Sequence, residues 1–336
     1  MADAASCDVI EPSIYSQLST EESSWFQRAA ADIVAREEKR LDQRYGRNVI
    51  GVGHGLCRRR GANRLVVRFF VQNKRGTARL KREGETPVPR YIEKRVLVAG
   101  EYKRVRFETD VEELRYGGPQ VKKIDVRQSG GSPLIGSACC VVRDNEKPGQ
   151  FVMSCFHVFG ANNLSNSCGR AKRLTRRVDG RPSWIGLRVE ELTDLPPLSS
   201  GVDAGLCKIP AGASIDTRVN GIALAGRIVN PRQIPLGAKL RIATRGKVKK
   251  AKLTGITGAI TLRYRCLGGI CTYTFSGLLE YVAVPPTKRG DSGSAIVYGS
   301  SLVGMHFYLT KKGRALGIPA STLFQRSTFK RSIELV

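Results

Sequence analysis

Long apolar runs, paired cysteine motifs and acidic residues are scarce in this sequence. No stretch approaches the roughly 18 consecutive apolar residues that a transmembrane helix needs. Residues 1–15 carry acidic side chains and lack the continuous apolar segment of a secretory signal peptide. We therefore expect a soluble cytoplasmic protein with no membrane partner.

The nine cysteines form no C-x-x-C pair, and their odd number does not fit a complete disulfide framework. In a reducing compartment such cysteines act as small buried hydrophobic residues. We expect the protein to need neither a metal ion nor an organic cofactor.

Basic residues outnumber acidic ones by 56 to 29, and the formal net charge is +27. Such an excess attracts anionic partners, so acidic peptides and nucleic acid both remain candidate partners. With 41% hydrophobic and 25% charged residues the chain can bury a core, which excludes wholesale disorder. Its 336 residues are enough for about two domains.

The N-terminal third predicts a helix followed by strands. Apolar side chains recur on one helical face across residues 19–46. Ser19 and Glu22 have the spacing of a capping box, and Gly46 is placed to end the helix. Short β-branched runs follow up to residue 114. We expect residues 1–116 to form a small α+β accessory module.

Residues 117–336 read as a mainly β domain, because short strand-like runs alternate with turn signals about every ten residues. This density of strands predicts antiparallel barrels or a sandwich. The predicted strands are 137–142, 151–155, 204–209, 239–244, 259–265, 278–284, 294–297 and 302–307.

A serine nucleophile is indicated by Gly290-Asp-Ser-Gly-Ser294, a short loop ahead of a strand with glycines on both sides of Ser292. Such a serine needs backbone N–H groups aimed at the oxyanion that forms on its substrate, and Gly290 permits the required backbone conformation. We expect the N–H groups of Gly290 and Ser292 to form this oxyanion hole. Taken alone, the segment would also fit a glycine-rich surface turn.

Two further residues complete a candidate acyl-transfer site. His157 follows an apolar strand and precedes a loop; taken alone it would be a core histidine. Asp203 precedes another apolar strand, where a buried carboxylate could orient an imidazole and stabilise its charged form. His54, in a glycine-rich segment that reads as a bend, fits a structural histidine.

These segments resemble the three motifs of chymotrypsin-like (trypsin-fold) serine peptidases. Ser154-Cys-Phe-His-Val158 is similar to the histidine motif, Val202-Asp-Ala-Gly-Leu206 to the aspartate motif, and the Ser292 loop to the serine motif. The resemblance covers residues 117–336. It implies two antiparallel six-stranded β-barrels and a His157–Asp203–Ser292 triad that cleaves protein or peptide substrates.

The chain departs from the secreted members of that family. No Ile-Val-Gly-Gly activation terminus lies shortly before His157, and Val158 replaces the usual cysteine after the histidine. The N-terminal segment Asn48-Val-Ile-Gly-Val-Gly-His-Gly55 is similar to the extension found in certain bacterial trypsin-like peptidases and in the plant narrow-leaf proteins related to them. We therefore expect the N-terminal module to serve substrate capture or control.

The resemblance also implies a specificity pocket built from Thr287, just before the nucleophile, and His306, on the strand after it. Glutamyl endopeptidases and picornavirus processing proteases read Glu or Gln with a threonine and a histidine, so cleavage after Glu or Gln is expected. His306 as a barrel histidine bonded to a backbone carbonyl is the alternative.

Two other functions remain open at this point. A degenerate peptidase fold could serve as a basic binding module, with clusters such as Lys172-Arg173 and Arg245-Gly-Lys-Val-Lys-Lys-Ala-Lys252 contacting nucleic acid through phosphates. No aromatic residues interleave with these clusters, which weakens that interpretation. A viral-type processing protease would explain the pocket but leaves the N-terminal module without a role.

Overall fold

The computed structural model describes residues 9–12, 14–46, 48–59, 61–98, 101–114, 118–119, 137–146, 148–159, 172–178, 181–189, 192–194, 201–209, 217–244, 247–266, 269–288, 290–310 and 313–336. Within them the chain forms two compact units. The first comprises Met1–Arg115, Pro235–Gly237 and Thr254–Thr261, and the second comprises the remaining residues.

Strands dominate both units. In chain order the strands of the described residues are β1 (Val9–Ile10), β2 (Val49–Arg59), β3 (Ala62–Val71), β4 (Tyr91–Val98), β5 (Glu101–Glu113), β6 (Gly118–Pro119), β7 (Cys140–Asp144), β8 (Gln150–Ser154), β9 (Lys172–Val178), β10 (Arg181–Val189), β11 (Leu192–Asp194), β12 (Gly205–Lys208), β13 (Lys239–Thr244), β14 (Lys247–Cys266), β15 (Gly269–Ser276), β16 (Leu279–Val284), β17 (Ala295–Tyr298), β18 (Ser301–Leu309), β19 (Ala315–Pro319) and β20 (Ile333–Leu335). The helices are α1 (Thr20–Glu38), α2 (Leu41–Tyr45), α3 (Thr77–Arg82), α4 (Phe156–Phe159), α5 (Ala320–Leu323) and α6 (Arg326–Phe329). None of these helices is long and apolar enough to span a membrane.

The predicted N-terminal helix is present, but it is divided into α1 and α2. Ser19 caps α1 in the predicted capping box, since its side chain accepts from the Glu22 N–H while the Glu22 carboxylate accepts from the Ser19 N–H. The helix breaks after Glu38, and α2 brings the buried Tyr45 hydroxyl to within 2.8 Å of the Glu37 carboxylate. The buried Tyr45 hydroxyl and the buried Glu37 carboxylate thus form a hydrogen bond with each other where the helix divides.

In the first unit, β3 lies between β2, to which it is antiparallel, and β5, to which it is parallel. The other edge of β2 pairs with the middle of β14, with Gly55 opposite Gly255 and His54 opposite Ile256. Gly55 must be glycine, because a Cβ there would lie 2.5 Å from the Thr254 carbonyl oxygen. The predicted bend around His54 is therefore wrong: the glycines lie inside a strand and permit close approach of its neighbour.

The second unit contains a closed barrel. Strands β14, β13, β17, β18, β19 and β16 pair in that order, and β16 also pairs with β14, which closes a six-stranded antiparallel barrel. One face of this barrel is apolar and includes side chains that are 2% exposed or less, namely Leu240, Ile242 and Ile296, with Ile242 paired to Ile296. The predicted mainly β fold is confirmed, and its C-terminal part contains one of the predicted six-stranded antiparallel barrels.

The rest of the second unit holds a five-stranded sheet with the order β11-β12-β8-β7-β20, and a separate hairpin of β9 and β10. All pairs in this sheet are antiparallel. A second six-stranded barrel stays a prediction, because long parts of the chain between residues 160 and 216 lie outside the described residues. The five-stranded sheet nonetheless positions the end of β8, which His157 follows, and the start of β12, which Asp203 precedes.

Candidate active site

His157 and Asp203 form a directly bonded pair. His157 follows β8 in the short helix α4, and Asp203 precedes β12, which is paired antiparallel with β8. The His157 Nδ1 atom lies 2.5 Å from Asp203 Oδ2, and the His157 backbone N–H donates to Oδ1 at 3.1 Å. The carboxylate therefore fixes both the backbone and the ring of His157.

The other ring nitrogen, His157 Nε2, is buried and makes no hydrogen bond to the described residues. A buried polar atom without a hydrogen bond lowers the stability of the folded chain, so such an atom suggests a site that binds a ligand or a proton. With Nδ1 donating to Asp203, Nε2 carries the lone pair that can accept a proton. The ring is thus oriented as a general base would be.

Tyr264 is a third member of this cluster. Its hydroxyl donates to Asp203 Oδ2 at 2.9 Å, and both side chains are buried. Burial raises the pKa of Tyr264 well above its usual value, and the charge of Asp203 raises it further, so the hydroxyl remains a donor. Sequence reasoning missed Tyr264, because nothing near it in the chain indicates a partner 61 residues away.

Ser292 lies in a tight loop with glycines at both flanking turns. Gly290 and Gly293 have φ values of +95° and +90°, a region that favours glycine. A Cβ on Gly293 would lie only 1.9 Å from the Ser137 carbonyl oxygen. Ser292 is fully buried, with its Oγ 3.4 Å from the Phe307 carbonyl oxygen.

Two hydrogen bonds through Ser137 connect the Ser292 loop to β8, the strand that precedes His157. The Ser137 N–H donates to the Ser292 carbonyl at 2.7 Å, and the Ser154 hydroxyl donates to the Ser137 carbonyl at 2.6 Å. The Ser154 residue ends β8, three positions before His157. The structure thus brings the three predicted triad residues into one region of the second unit.

The two predicted oxyanion donors are the backbone N–H groups of Gly290 and Ser292. The Gly290 N–H makes no hydrogen bond to the described residues, so it is available to a ligand. The Gly293 N–H, by contrast, donates to the His306 carbonyl at 2.8 Å. Among these glycines, Gly290 is the one whose N–H could bind an oxyanion.

An ion pair that sequence reasoning missed holds the same loop. Lys249 Nζ lies 2.6 Å from Asp291 Oδ2 and donates to the Pro286 carbonyl at 2.8 Å. The Lys288 N–H also donates to Asp291 Oδ2, at 2.8 Å. The side chains of Lys249 and Asp291 are only 1% and 5% exposed. Lys249 therefore cannot belong to a phosphate-binding surface cluster, and the prediction is wrong for this residue.

Thr287 and His306 are both buried next to the loop. Thr287 Oγ1 has no hydrogen-bond partner among the described residues. The His306 Nδ1 atom lies 2.7 Å from the Tyr281 hydroxyl, and the imidazole also bonds to the Leu316 backbone. Burial lowers the pKa of His306 to about 3, so the ring is neutral at neutral pH. The bond to the Leu316 backbone is the contact expected if His306 is a barrel histidine, so the structure also fits a structural role for His306.

Cys155, His157 and Asp203 place potential metal-ligand atoms within 4.8 Å of one another. A metal would have to displace the bond between His157 and Asp203. Burial raises the pKa of the Cys155 thiol well above its usual value, and Asp203 raises it further, so the thiol resists the deprotonation that metal binding requires. The arrangement fits proton transfer better than metal binding.

No family model and no curated protein matches the chain. The chain is similar to solved chymotrypsin-like serine proteases. They include a serine protease specific for glutamic acid (17% identity, TM-score 0.36, 60% of this chain and 93% of that one), protease A of Thermobifida fusca (18%, 0.35, 66% and 96%) and a chymotrypsin of Cellulomonas bogoriensis (14%, 0.34, 66% and 97%). Similarity this low assigns no chemistry, so the function rests on the geometry above. The narrower link to narrow-leaf proteins stays a prediction.

Proposed function

We propose that this chain is a serine endopeptidase in which Ser292 is the nucleophile, His157 the general base and Asp203 the carboxylate that orients it. The bonded His157–Asp203 pair carries the proposal, because it leaves a buried imidazole nitrogen without a partner. A buried polar atom without a hydrogen bond is uncommon and fits a nitrogen that binds a proton or a ligand during the reaction. The fastening of the Ser292 loop to the same strand end supports the third role.

In the proposed reaction, Ser292 Oγ attacks the scissile carbonyl carbon while its proton passes to His157 Nε2. Asp203 stabilises the imidazolium that forms. The oxyanion accepts hydrogen bonds from the N–H groups of Gly290 and Ser292, which the glycine conformations and the Lys249–Asp291 pair preorganise. The protonated His157 then gives its proton to the leaving amine, and water completes the cycle. No metal or organic cofactor takes part.

We also propose that the pocket prefers Glu or Gln before the scissile bond. The buried Thr287 hydroxyl without a partner supports this preference, because a substrate carbonyl would satisfy it. His306 is neutral and Tyr281 stays protonated, since burial raises the pKa of Tyr281, so these side chains add no net charge beside Thr287. An amide is buried more cheaply than a carboxylate in such surroundings, and we expect Gln to be favoured over Glu at neutral pH.

Peptide hydrolysis tests both proposals. Ser292→Ala and His157→Ala should each lower kcat/KM by at least about 10³-fold, and EDTA should have no effect. Ser294→Ala is a matched control, because Ser294 is a buried serine two positions away. His306→Ala should cost more for Gln substrates than for apolar ones. Unchanged cleavage in the Ser292 or His157 variant would refute the triad; a library dominated by Arg, Lys or aromatic residues would refute only the preference.

The binding-module alternative has less support. Lys249 is buried in an ion pair, which removes one member of the Arg245–Lys252 cluster from any phosphate surface. The other cluster lies on β9, where Arg173 is paired in register with Arg188 of β10. Nucleic-acid binding, the accessory role of residues 1–116 and a cytoplasmic location all stay predictions. Steep salt dependence of binding to an oligonucleotide would favour the alternative.

A further inference from the structure

Four basic residues form a block on the exposed face of β13 and β14. The two strands are antiparallel, with Lys239 opposite Lys252 and Arg241 opposite Lys250, and all four residues are exposed. Residues that lie directly opposite each other, or two apart on one strand, share a face of the sheet. We call this two-by-two block the basic ladder.

The other face of the same two strands is buried. Ile242 is opposite Lys249 there, and both residues are buried. Lys249 bonds to Asp291 on that side, whereas Lys250 and Lys252 belong to the exposed face. The alternation of the strand thus divides the basic run of β14 into one lysine that holds the fold together and two that are accessible to a partner.

The charges of the basic ladder have no carboxylate partner within the part of the chain that the structure describes. Arg241 donates instead to the Gly299 carbonyl, which leaves its positive charge unbalanced. By contrast, the exposed Arg79 of α3 is paired with Glu83. Like charges directly opposite each other destabilise a sheet, so the ladder does not serve the stability of the fold. Binding of an anionic partner would relieve this repulsion.

The surroundings of the basic ladder favour an acidic peptide over nucleic acid. Val248, two positions before Lys250 on the same face, is exposed, and so are Val282 and Val284 on β16, which also pairs with β14. Sites for single-stranded nucleic acid combine cations with aromatic rings on which bases stack. Neither β13 nor residues 247–252 contain an aromatic residue. Aliphatic side chains beside cations suit a peptide that carries acidic and apolar residues.

The basic ladder lies close enough to Ser292 for one substrate to contact both. Strand β13 also pairs with β17, and Arg241 is opposite Val297. Val297 follows Ser292 by five residues in the chain. With about 3.3 Å per residue and about 5 Å between strands, Arg241 lies within roughly 22 Å of the candidate nucleophile. An extended peptide covers that distance with about seven residues.

We propose that the basic ladder is an exosite, a second substrate-binding surface, that binds an acidic segment of the polypeptide substrate about seven residues from the scissile bond. This rests on the proposed function. The segment would be held equally in the ground state and in the transition state, so it should lower KM and leave kcat unchanged. Because these ion pairs are exposed, added salt should weaken the effect.

The test uses two peptides with the same Gln cleavage site, one of which also carries a short run of aspartates about seven residues from the glutamine, on either side. The ladder variant replaces all four members of the basic ladder by Gln. A control variant removes the same number of exposed positive charges from the first unit, through Lys39→Gln, Lys74→Gln, Lys81→Gln and Arg82→Gln. In wild type and in the control variant, the aspartates should lower KM at least about tenfold at low salt. In the ladder variant both peptides should have the same KM.

The plain peptide separates failure of the exosite from failure of the proposed function. If wild type hydrolyses it but the aspartates do not lower KM, the exosite is wrong and the proposed function stands. Equal loss in the ladder and control variants would show that only net charge acts, which also refutes the exosite.

Binding measured on Ser292→Ala by fluorescence anisotropy needs no catalysis. The aspartate peptide should bind, and adding the ladder substitutions should abolish that binding. If an oligonucleotide binds through the basic ladder and the aspartate peptide does not, the surface recognises nucleic acid and the proposal is wrong. If wild type hydrolyses neither peptide, the proposed function is wrong and the exosite role is wrong with it, whatever the ladder binds.

Discussion

Replacing Lys249 by Met should inactivate the site without touching the triad. Lys249 Nζ is the cation that faces Asp291 at 2.6 Å, and Asp291 immediately precedes Ser292. Methionine keeps much of the side-chain length and removes the charge. The Asp291 carboxylate would then stay buried and would keep its hydrogen bond from the Lys288 N–H. We expect the loop to rearrange so that Asp291 can reach water.

The magnitude follows from the burial of the pair. Removing one partner of a buried ion pair typically costs about 3–5 kcal/mol, because the other charge stays desolvated. The Lys288 N–H retains part of the stabilisation, which places the expected loss near 3 kcal/mol. If this energy acts on the equilibrium between the formed and the open loop, the equilibrium constant for the formed loop falls by roughly two orders of magnitude.

Two measurements check this expectation: urea unfolding for the free energy, and the rate of Ser292 labelling by a fluorophosphonate for the active loop. Lys250→Met is the matched control, because Lys250 is the exposed neighbour on the same strand. Adding Asp291→Asn to Lys249→Met should recover stability, since no buried charge remains, but it should not recover the labelling rate. Wild-type stability and labelling in Lys249→Met would show that the pair does not hold the loop.

Three other predictions follow from the geometry. Tyr264→Phe removes one hydrogen bond to Asp203 and should lower peptide turnover about tenfold in kinetic assays. An unchanged rate would show that the two bonds between Asp203 and His157 are enough to orient the imidazole. His306 has a pKa of about 3 in the folded chain and about 6.5 when unfolded, so the unfolded state binds more protons between these pH values. The free energy of unfolding should therefore fall as the pH drops from about 6.5 towards 3. His306→Gln should make this free energy, measured by urea titration, depend less on pH. A chain beginning at Gly117 lacks β2, the partner of Gly255–Ile260 in β14, and should be less stable or aggregate; a monomer that unfolds like the full chain would contradict this.

Features that depend on neighbouring residues were predictable. The capping box of Ser19 and Glu22 and the strand Lys239–Thr244 follow from local spacing and alternation, and both are present. The Ser292 loop was recognisable because its glycines impose a backbone conformation that few other residues adopt.

Features that depend on distant partners were not predictable. Lys249 looked like one basic residue among many, because its partner Asp291 is 42 positions away. The glycines around His54 read as a bend, since the strand that approaches them lies some 200 residues later in the chain. The pairing of Pro119 with Tyr308 likewise joins segments that share no local pattern. A single sequence shows residue types but not which of them meet.

Mass spectrometry of the fluorophosphonate-labelled chain is the most direct test of the proposed nucleophile, because covalent labelling requires both the serine and its activation. The account predicts one modified peptide carrying Ser292 in wild type and in Ser294→Ala, and none in Ser292→Ala or His157→Ala. Modification of another residue, or undiminished labelling of Ser292 in His157→Ala, would contradict the account.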